Sequence, residues 1–525
     1  MSKSVDQRRL TRRSLLRFGL AAPALVAASR VSATTKTGGG MRPSILFIMG
    51  DQHRGDCIGA DGHPAVRTPN LDRIAQEGVR FSSAYSAVPS CTPARSGLLT
   101  GLSPYHHGML GYGRVGEHYD IEKPRMLGEA GYYTMGIGKM HWCPQRNTHG
   151  FHKVLLDESS REESPEFRSD YRCWFESEAP NLEYNATGIG WNSYLSKPYL
   201  FPERLHPTAW TGETAVRFLD TYEGSDPFFL KVSFARPHSP YDPPERFWKM
   251  YEDADIPKAA VGTWAARYAP RSGDDESIWH GDLGPEQVRR SRQGYYGNVS
   301  FIDEQIGRLI EVLEKRGRLE DTLIVYTADH GDMTGDHNLW RKTYAYEASA
   351  RIPMLMRWPE GLVSAERGQV SDKPVELRDI LPTFLDIAGA ESPKPLDGDS
   401  LLKLARGKAE GWRAYIDFEH DVCYGPENHW NGLTDGHWKY IFHARDGEEQ
   451  LFHLDSDPGE LNDLAGVAAH ADTLRLWRGR LIDHLSERGE PFVKNGQLAL
   501  RPERMLYGPN YPGCTAPEYR ASGKK

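Results

Sequence analysis

At 525 residues the chain is too long for one small domain, and with 39% hydrophobic and 26% charged residues it has the composition of an ordinary globular protein. A formal net charge of −8 argues against non-specific nucleic-acid binding. Gly and Pro are plentiful but show no repeat, which implies many turns rather than disorder or a fibrous chain.

The first segment reads as a targeting signal, not as part of a fold. "TRRSLLRFG" carries Arg12 and Arg13, an apolar run follows from Phe18 to Ala28, and "VSA" ends at Ala33. This is the pattern of a twin-arginine secretory signal over residues 1–33, cut near Ala33. Its apolar run is too short for stable membrane insertion, so the mature protein is expected to be exported, periplasmic or secreted. Cleavage removes seven basic residues and one acidic residue, leaving 57 against 71 and a net charge of −14. Six scattered cysteines, Cys57, Cys91, Cys143, Cys173, Cys423 and Cys514, include no C-x-x-C pair or zinc spacing. Export would permit disulfides among them, with the pairing left open.

"SILFIM" (Ser44 to Met49) is apolar throughout and ends at Asp51-Gln52, as suits a strand buried on both faces. "TPNLDRIAQEG" starts a helix at Pro69 and stops it at Gly78. "GYYTMGIGKMHW" is a second strand, ending at Lys139 and His141, and "FFLKVSFARPHSPY" a third, ending near His238. Ile302, Ile306, Leu309, Ile310 and Leu313 mark one face of a helix that Gly317 ends. "TLIVYTADHGD" is a fourth strand, ending at Asp329-His330. Apolar strands alternating with amphipathic helices predict an α/β domain with a mostly parallel sheet, whose ligands bind beyond the carboxyl ends of the strands. Past about residue 390 the pattern changes to short strands in succession and one helix, a smaller antiparallel α+β unit. The expected organisation is a catalytic domain over 43–390, a subdomain over 391–490 and an irregular tail over 491–525.

Polar chemistry gathers at these strand ends. Asp51 and Asp329 on neighbouring strands would repel unless a cation lies between them, and Gln52 and His330 supply further donors. Mostly oxygen donors point to Ca²⁺ or Mg²⁺, with Ca²⁺ first, while the imidazole leaves Mn²⁺ or Zn²⁺ open. In "PSCTPARSGLLTG", Pro93 suits a first helical position with Thr92 as cap. That places Cys91 just outside the positive end of the helix and Arg95 in its first turn, a ready site for a tetrahedral anion. Lys139, His141, His238 and Lys342 would neutralise such an anion and supply a general acid. Taken singly, each of these lysines reads as a solvated residue, and each histidine reads equally as structural or catalytic. Their shared position carries the argument.

"CTPARSGLLTG", "GKMHW", "RPHSPY" and "TADHGDMTGDHNLWRKTYAYE" resemble, in the same order, the signature blocks of the type I, formylglycine-dependent sulfatases. The resemblance implies an alkaline phosphatase-like sandwich with a smaller C-terminal domain. It implies that Cys91 is converted by a formylglycine-generating enzyme, which reads Pro93 and Arg95, before export by the twin-arginine machinery. By the same resemblance Asp51, Gln52, Asp329 and His330, with modified Cys91, match metal ligands. Arg95 and Lys139 match residues holding the formylglycine, His141 the base that helps expel sulfate, and His238 and Lys342 groups on the sulfate and the leaving oxygen. Many members carry Asp where Gln52 stands and Asn where His330 stands; the D-Q and D-H pairing also occurs in phosphonate and phosphate ester hydrolases.

The implied activity is sulfate ester hydrolysis. A phosphonate monoester or phosphodiester hydrolase is the alternative, and a non-catalytic relative binding sulfated glycans is a third reading. A thiol phosphatase needs five residues between Cys and Arg, and only three separate Cys91 from Arg95. Substrate selection should lie in surface loops. The candidates are Leu110 to Tyr119, Trp174 to Trp210 and Phe418 to Gly432, whose aromatic residues would suit a sulfated carbohydrate.

Overall fold

The computed structural model describes residues 42–158, 161–425 and 428–516, and Arg42–Lys525 forms one compact unit. The expected signal at residues 1–33 lies outside the described residues. Among the described residues, no helix is long and apolar enough to cross a membrane.

The strands in chain order are β1 (Ser44–Asp51), β2 (Val79–Phe81), β3 (Ala84–Tyr85), β4 (Tyr133–Gly138), β5 (Lys153–Leu156), β6 (Phe228–Pro237), β7 (Thr322–Ala328), β8 (Met354–Arg357), β9 (Gln369–Ser371) and β10 (Val375–Glu376). Eight of them form the central sheet, in the order β5-β4-β6-β1-β7-β8-β2-β9. β1 lies at its centre, parallel to β6, with Ile45 opposite Phe229, and parallel to β7, with Ser44 opposite Thr322. Only β8 runs against its neighbours β7 and β2.

The all-apolar run of β1 follows from burial on both faces. Ile45, Phe47 and Met49 pack on one side, with the helices Cys91–Thr100 and Ile380–Ala388. Leu46 and Ile48 pack on the other, with Pro69–Gln76 and the 32-residue helix Gly284–Lys315. The sheet is thus the middle of three layers, and its carboxyl edge is the open end.

A second sheet holds β11 (Ile416–His420), β12 (Trp430–Thr434), β13 (Trp438–His443) and β14 (Glu449–His453), all antiparallel. One of its faces packs under the helix Ala471–Leu485. The other, through Phe418, Trp430 and Ile441, packs on Tyr344 and Tyr346. This second contact lets the smaller sheet reach the site. Glu419 N–H donates to Ala87 C=O at 2.8 Å, and His420 Nε2 meets Ser90 Oγ at 2.9 Å, so the turn before Cys91 is pinned.

Cys143 and Cys514 form a disulfide. It fastens the chain end to the segment just after His141. Nearby, Leu110 N–H donates to Leu506 C=O and Gly508 N–H to Gly108 C=O.

Candidate active site

The helix that carries Cys91 begins one residue before Thr92. Ser90, extended at φ −155° and ψ 154°, is the cap residue, and Cys91 is the first helical position. The expectation that Thr92 caps the helix is therefore corrected, and Arg95 falls just past the first turn. Thr92 Oγ1 instead accepts the Gly113 N–H at 3.2 Å. Pro93 sits third in the helix at no cost, because none of the first four N–H groups has a partner within the helix. Cys91 thus lies at the positive end of a wholly buried helix.

Asp51 ends β1 and Asp329 follows β7, so the parallel pairing of these strands sets the two carboxylates side by side. Arg95 reaches both. Its Nη2 donates to Asp51 Oδ2 at 3.0 Å and its Nε to Asp329 Oδ2 at 2.9 Å. Its Nη1 donates to the Lys139 carbonyl at 2.7 Å. Lys139 Nζ also lies 2.6 Å from Asp51 Oδ2. Burial pushes the Asp51 carboxyl up, but the charges of Lys139 and Arg95 outweigh it and hold its pKa well below the usual range.

With the outer oxygens taken by cations, Asp51, Cys91, Asp329 and His330 each turn a ligand atom inward, all within 4.8 Å of one another and all buried. Cys91 Sγ lies 3.1 Å from His330 Nε2 and 3.7 Å from Asp51 Oδ1. His330 Nδ1 is 2.9 Å from the Gly331 carbonyl, which accepts its proton and turns the Nε2 lone pair toward the cluster. The donor set fits a divalent cation: two carboxylates, a fixed imidazole and a cysteine side chain share one small volume. Gln52 stands beside this cluster. Its Oε1 accepts from Lys342 Nζ at 2.8 Å, its Nε2 donates to Asp332, and its backbone N–H donates to Asp329 Oδ1 at 3.0 Å. The residue is left-handed at φ 68°, a conformation uncommon outside glycine.

On the open side, Lys342 Nζ lies 2.7 Å from His238 Nε2, while His238 Nδ1 faces the Ser239 carbonyl at 2.8 Å. Burial and the Lys342 charge lower the His238 imidazole well below its ordinary value, so the neutral ring accepts from the ammonium. Lys342 is placed from the smaller sheet: Trp430 Nε1 donates to Thr343 C=O at 3.0 Å, and Thr343 N–H donates to Pro89 C=O at 2.9 Å. Lys139 follows Gly138, whose φ of +94° and close approach to the Ser233 carbonyl exclude a Cβ. His141, at φ 60°, has its backbone N–H held by Glu158 Oε1 at 3.0 Å. Burial and the Lys139 charge keep its imidazole neutral and able to take a proton.

All ten residues singled out in the sequence lie together here. Four others do so that were not singled out in the sequence, of which Asp332 alone lies in a quoted motif. Asp332 accepts from Gln52 Nε2 and, at 2.5 Å, from the Tyr241 hydroxyl. Trp191 stacks on His238, with centroids 4.1 Å apart, and lies under Lys139 Nζ at 4.8 Å. Arg161 stands over Trp191, and Glu158 fixes the turn at His141. The three expected specificity loops each bring one aromatic residue toward the site: Tyr112 against His141, Trp191 against His238, and Tyr424 under the guanidinium of Arg341, the neighbour of Lys342.

Comparison with known proteins agrees with this geometry. A sulfatase family model matches residues 43–390, and a model for the C-terminal part of N-sulphoglucosamine sulphohydrolase matches residues 335–486. The chain is 39% identical over 472 residues to an arylsulfatase of Clostridium perfringens (strain 13 / Type A), covering 87% of this chain and 97% of that one. It is 31% identical over 450 residues to a choline-sulfatase of Rhizobium meliloti (strain 1021), covering 81% and 82%. A crystal structure of the phosphonate monoester hydrolase of Agrobacterium radiobacter superposes with a TM-score of 0.73 at 26% identity, covering 88% of this chain and 100% of that one.

Proposed function

The chain belongs to the sulfatase family of sulfuric ester hydrolases, with its alkaline phosphatase-like fold, and we propose that it cleaves a sulfate ester with a formylglycine made from Cys91. The observation that carries this reading is the buried meeting of Cys91 Sγ with Asp51, Asp329 and His330 at a helix N-terminus. In this structure Sγ stands in for the oxygens that Cβ would carry in the modified side chain. As a hydrated aldehyde, formylglycine would supply one hydroxyl to attack sulfur and a second whose deprotonation releases sulfate. A divalent cation held by Asp51, Asp329 and His330, with the Gln52 amide beside them, would make that hydroxyl a better nucleophile; Ca²⁺ is our first assignment, with Mn²⁺ or Zn²⁺ as alternatives.

The other residues do the positioning and the proton traffic. Arg95 and Lys139 fix the outer oxygens of the carboxylates. Lys342, paired with His238, would donate a proton to the departing alcohol oxygen. Neutral His141 would take the proton whose loss expels sulfate. The aromatic residues at the mouth support a sulfated carbohydrate as substrate. The arginine pair near the N-terminus supports twin-arginine export after conversion of Cys91.

The test is mass spectrometry of the tryptic peptide Phe81 to Arg95 from a host with a formylglycine-generating enzyme. We expect an aldehyde in place of the thiol, and hydrolysis of 4-nitrophenyl sulfate that a chelator abolishes. An unmodified Cys91, with an authentic sulfatase converted in parallel, would overturn the reading. Phosphonate monoester hydrolysis is the second reading, favoured by the Agrobacterium radiobacter superposition; a rate on phenyl phosphonates above that on sulfates would establish it.

A further inference from the structure

Each inner cation of the site has an internal partner. Arg95 is held by Asp51 and Asp329, Lys139 by Asp51, and Lys342 by Gln52 and His238. Arg161 differs. Its guanidinium is half-buried above the Trp191 ring at 5.3 Å, and the Trp191 indole is the one stacked on His238. Among the described residues, the only side chain that accepts a hydrogen bond from it is the Tyr112 phenol, at 2.6 Å, and no described carboxylate pairs with it.

The glutamates next to it in sequence all turn elsewhere. Glu158 takes the backbone N–H groups of Met140 and His141. Glu162 pairs with Arg172, and Glu163 accepts the Gln145 N–H at 2.7 Å. A desolvated cation without a counter-charge is costly, and it stays favourable where a ligand supplies the charge. The scissile sulfate already has Lys139, Lys342 and the cation site to meet it. The arginine at the rim therefore serves a different group.

We propose that Arg161 is a specificity-determining residue that receives a second oxyanion of the substrate, a carboxylate or a further sulfate borne close to the scissile one. Tyr112 holds the guanidinium by its hydroxyl and Trp191 supports it from below, so the fork is aimed before substrate arrives. The preferred substrates are then polyanionic, not simple monosulfates. This rests on the sulfatase reading for its scissile group.

The test uses inert sulfonates, whose binding does not depend on turnover. Isothermal titration of the full-length, metal-loaded protein compares benzenesulfonate, benzene-1,3-disulfonate and 3-sulfobenzoate. A charge-assisted pair predicts that at least one dianion binds roughly ten- to a hundredfold tighter than the monoanion. The tighter dianion tells a second sulfate from a carboxylate. Arg161→Gln should remove that preference and Tyr112→Phe should reduce it, with thermal unfolding midpoints confirming that both variants fold. A wild type with no preference for either dianion, or a preference that survives in Arg161→Gln, overturns the proposal. Failure of the sulfatase reading would show separately, as no hydrolysis of 4-nitrophenyl sulfate.

Discussion

Arg95 holds the candidate metal centre together, and Arg95→Gln measures by how much. The side chain is fully buried and donates to Asp51, Asp329 and the Lys139 carbonyl. Its loss does not orphan both carboxylates equally. Asp51 keeps Lys139 at 2.6 Å. Asp329 Oδ2 loses its cationic partner, while Oδ1 keeps the N–H groups of Gln52 at 3.0 Å and His330 at 3.2 Å, with His330 Nε2 at 3.7 Å. The expected cost is therefore that of one broken buried pair, about 3–5 kcal/mol, and not of two. Guanidinium unfolding in the presence of a chelator reads it directly. In an Asp329→Asn background the same substitution should cost less, about 1.5–3 kcal/mol, the worth of the charge-assisted bond to Asp51 that remains. Saturating divalent cation should narrow the wild-type gap, because charge bound at Asp329 replaces part of what Arg95 supplied. A loss below about 1 kcal/mol in the wild-type background, or equal losses in both, would refute the reasoning.

Three further predictions test other parts of the structure. Cys514→Ser should lower stability by about 2–4 kcal/mol, and reductant should bring the wild type to the same unfolding midpoint; an indifferent wild type would mean Cys143 and Cys514 are not joined. Lys342→Ala should slow esters of poor leaving groups by about 10²–10⁴ and 4-nitrophenyl sulfate far less, in a series of aryl and alkyl sulfates; a uniform slowdown would rule out proton donation by Lys342. Lys231 lies in the core over Trp142, and burial pushes its ammonium down to about 7. The unfolded chain therefore binds this proton more readily than the folded one between about pH 7 and the unfolded value of 10.5, so this group makes stability rise with pH across that window. Lys231→Met should thus be more stable than wild type, most so at or below pH 7, with the advantage shrinking toward pH 10; a constant difference in unfolding midpoints would contradict it.

How much of this was legible in the sequence follows from whether a residue's place is set locally. A strand buried on both faces announces itself as an unbroken apolar run, and Asp51, Lys139, His238 and Asp329 stand at or just beyond the ends of such runs. In a parallel sheet those ends share one edge, so the residues can be assigned to one site without knowing the strand order. The start of the Cys91 helix was harder. Ser90 and Thr92 are both good caps by type, and the choice is made by His420 on a distant strand, which meets the Ser90 hydroxyl. The first half of the helix Gly284–Lys315 carries Gly294 and Gly297 among charged residues, which weakens the helical signal. The structure gives their reason: a Cβ at Gly294 would come within 2.7 Å of the Tyr241 carbonyl, and one at Gly297 within 2.6 Å of the Pro243 ring. β12 carries a weak strand signal because Asn431 and Gly432 interrupt its pattern, though Gly432 is needed where a Cβ would lie 2.7 Å from the Tyr440 carbonyl.

Trp191 and Arg161 belong to a different class. Nothing within several residues of Trp191 distinguishes it from a packing tryptophan, and its role appears only when His238, Lys139 and Arg161 arrive from three other segments. The inner machinery, which must hold a tetrahedral anion and a metal, is built on rigid strand ends and is therefore written in short motifs. The outer wall, which must fit one substrate, is assembled from separate loops around that frame, so its meaning lies in distances rather than in spacing along the chain. The same division explains why Gln52 is ambiguous. Its place beside Asp51 is fixed by β1, but whether its amide oxygen serves the cation or Lys342 depends on a side chain 290 residues away.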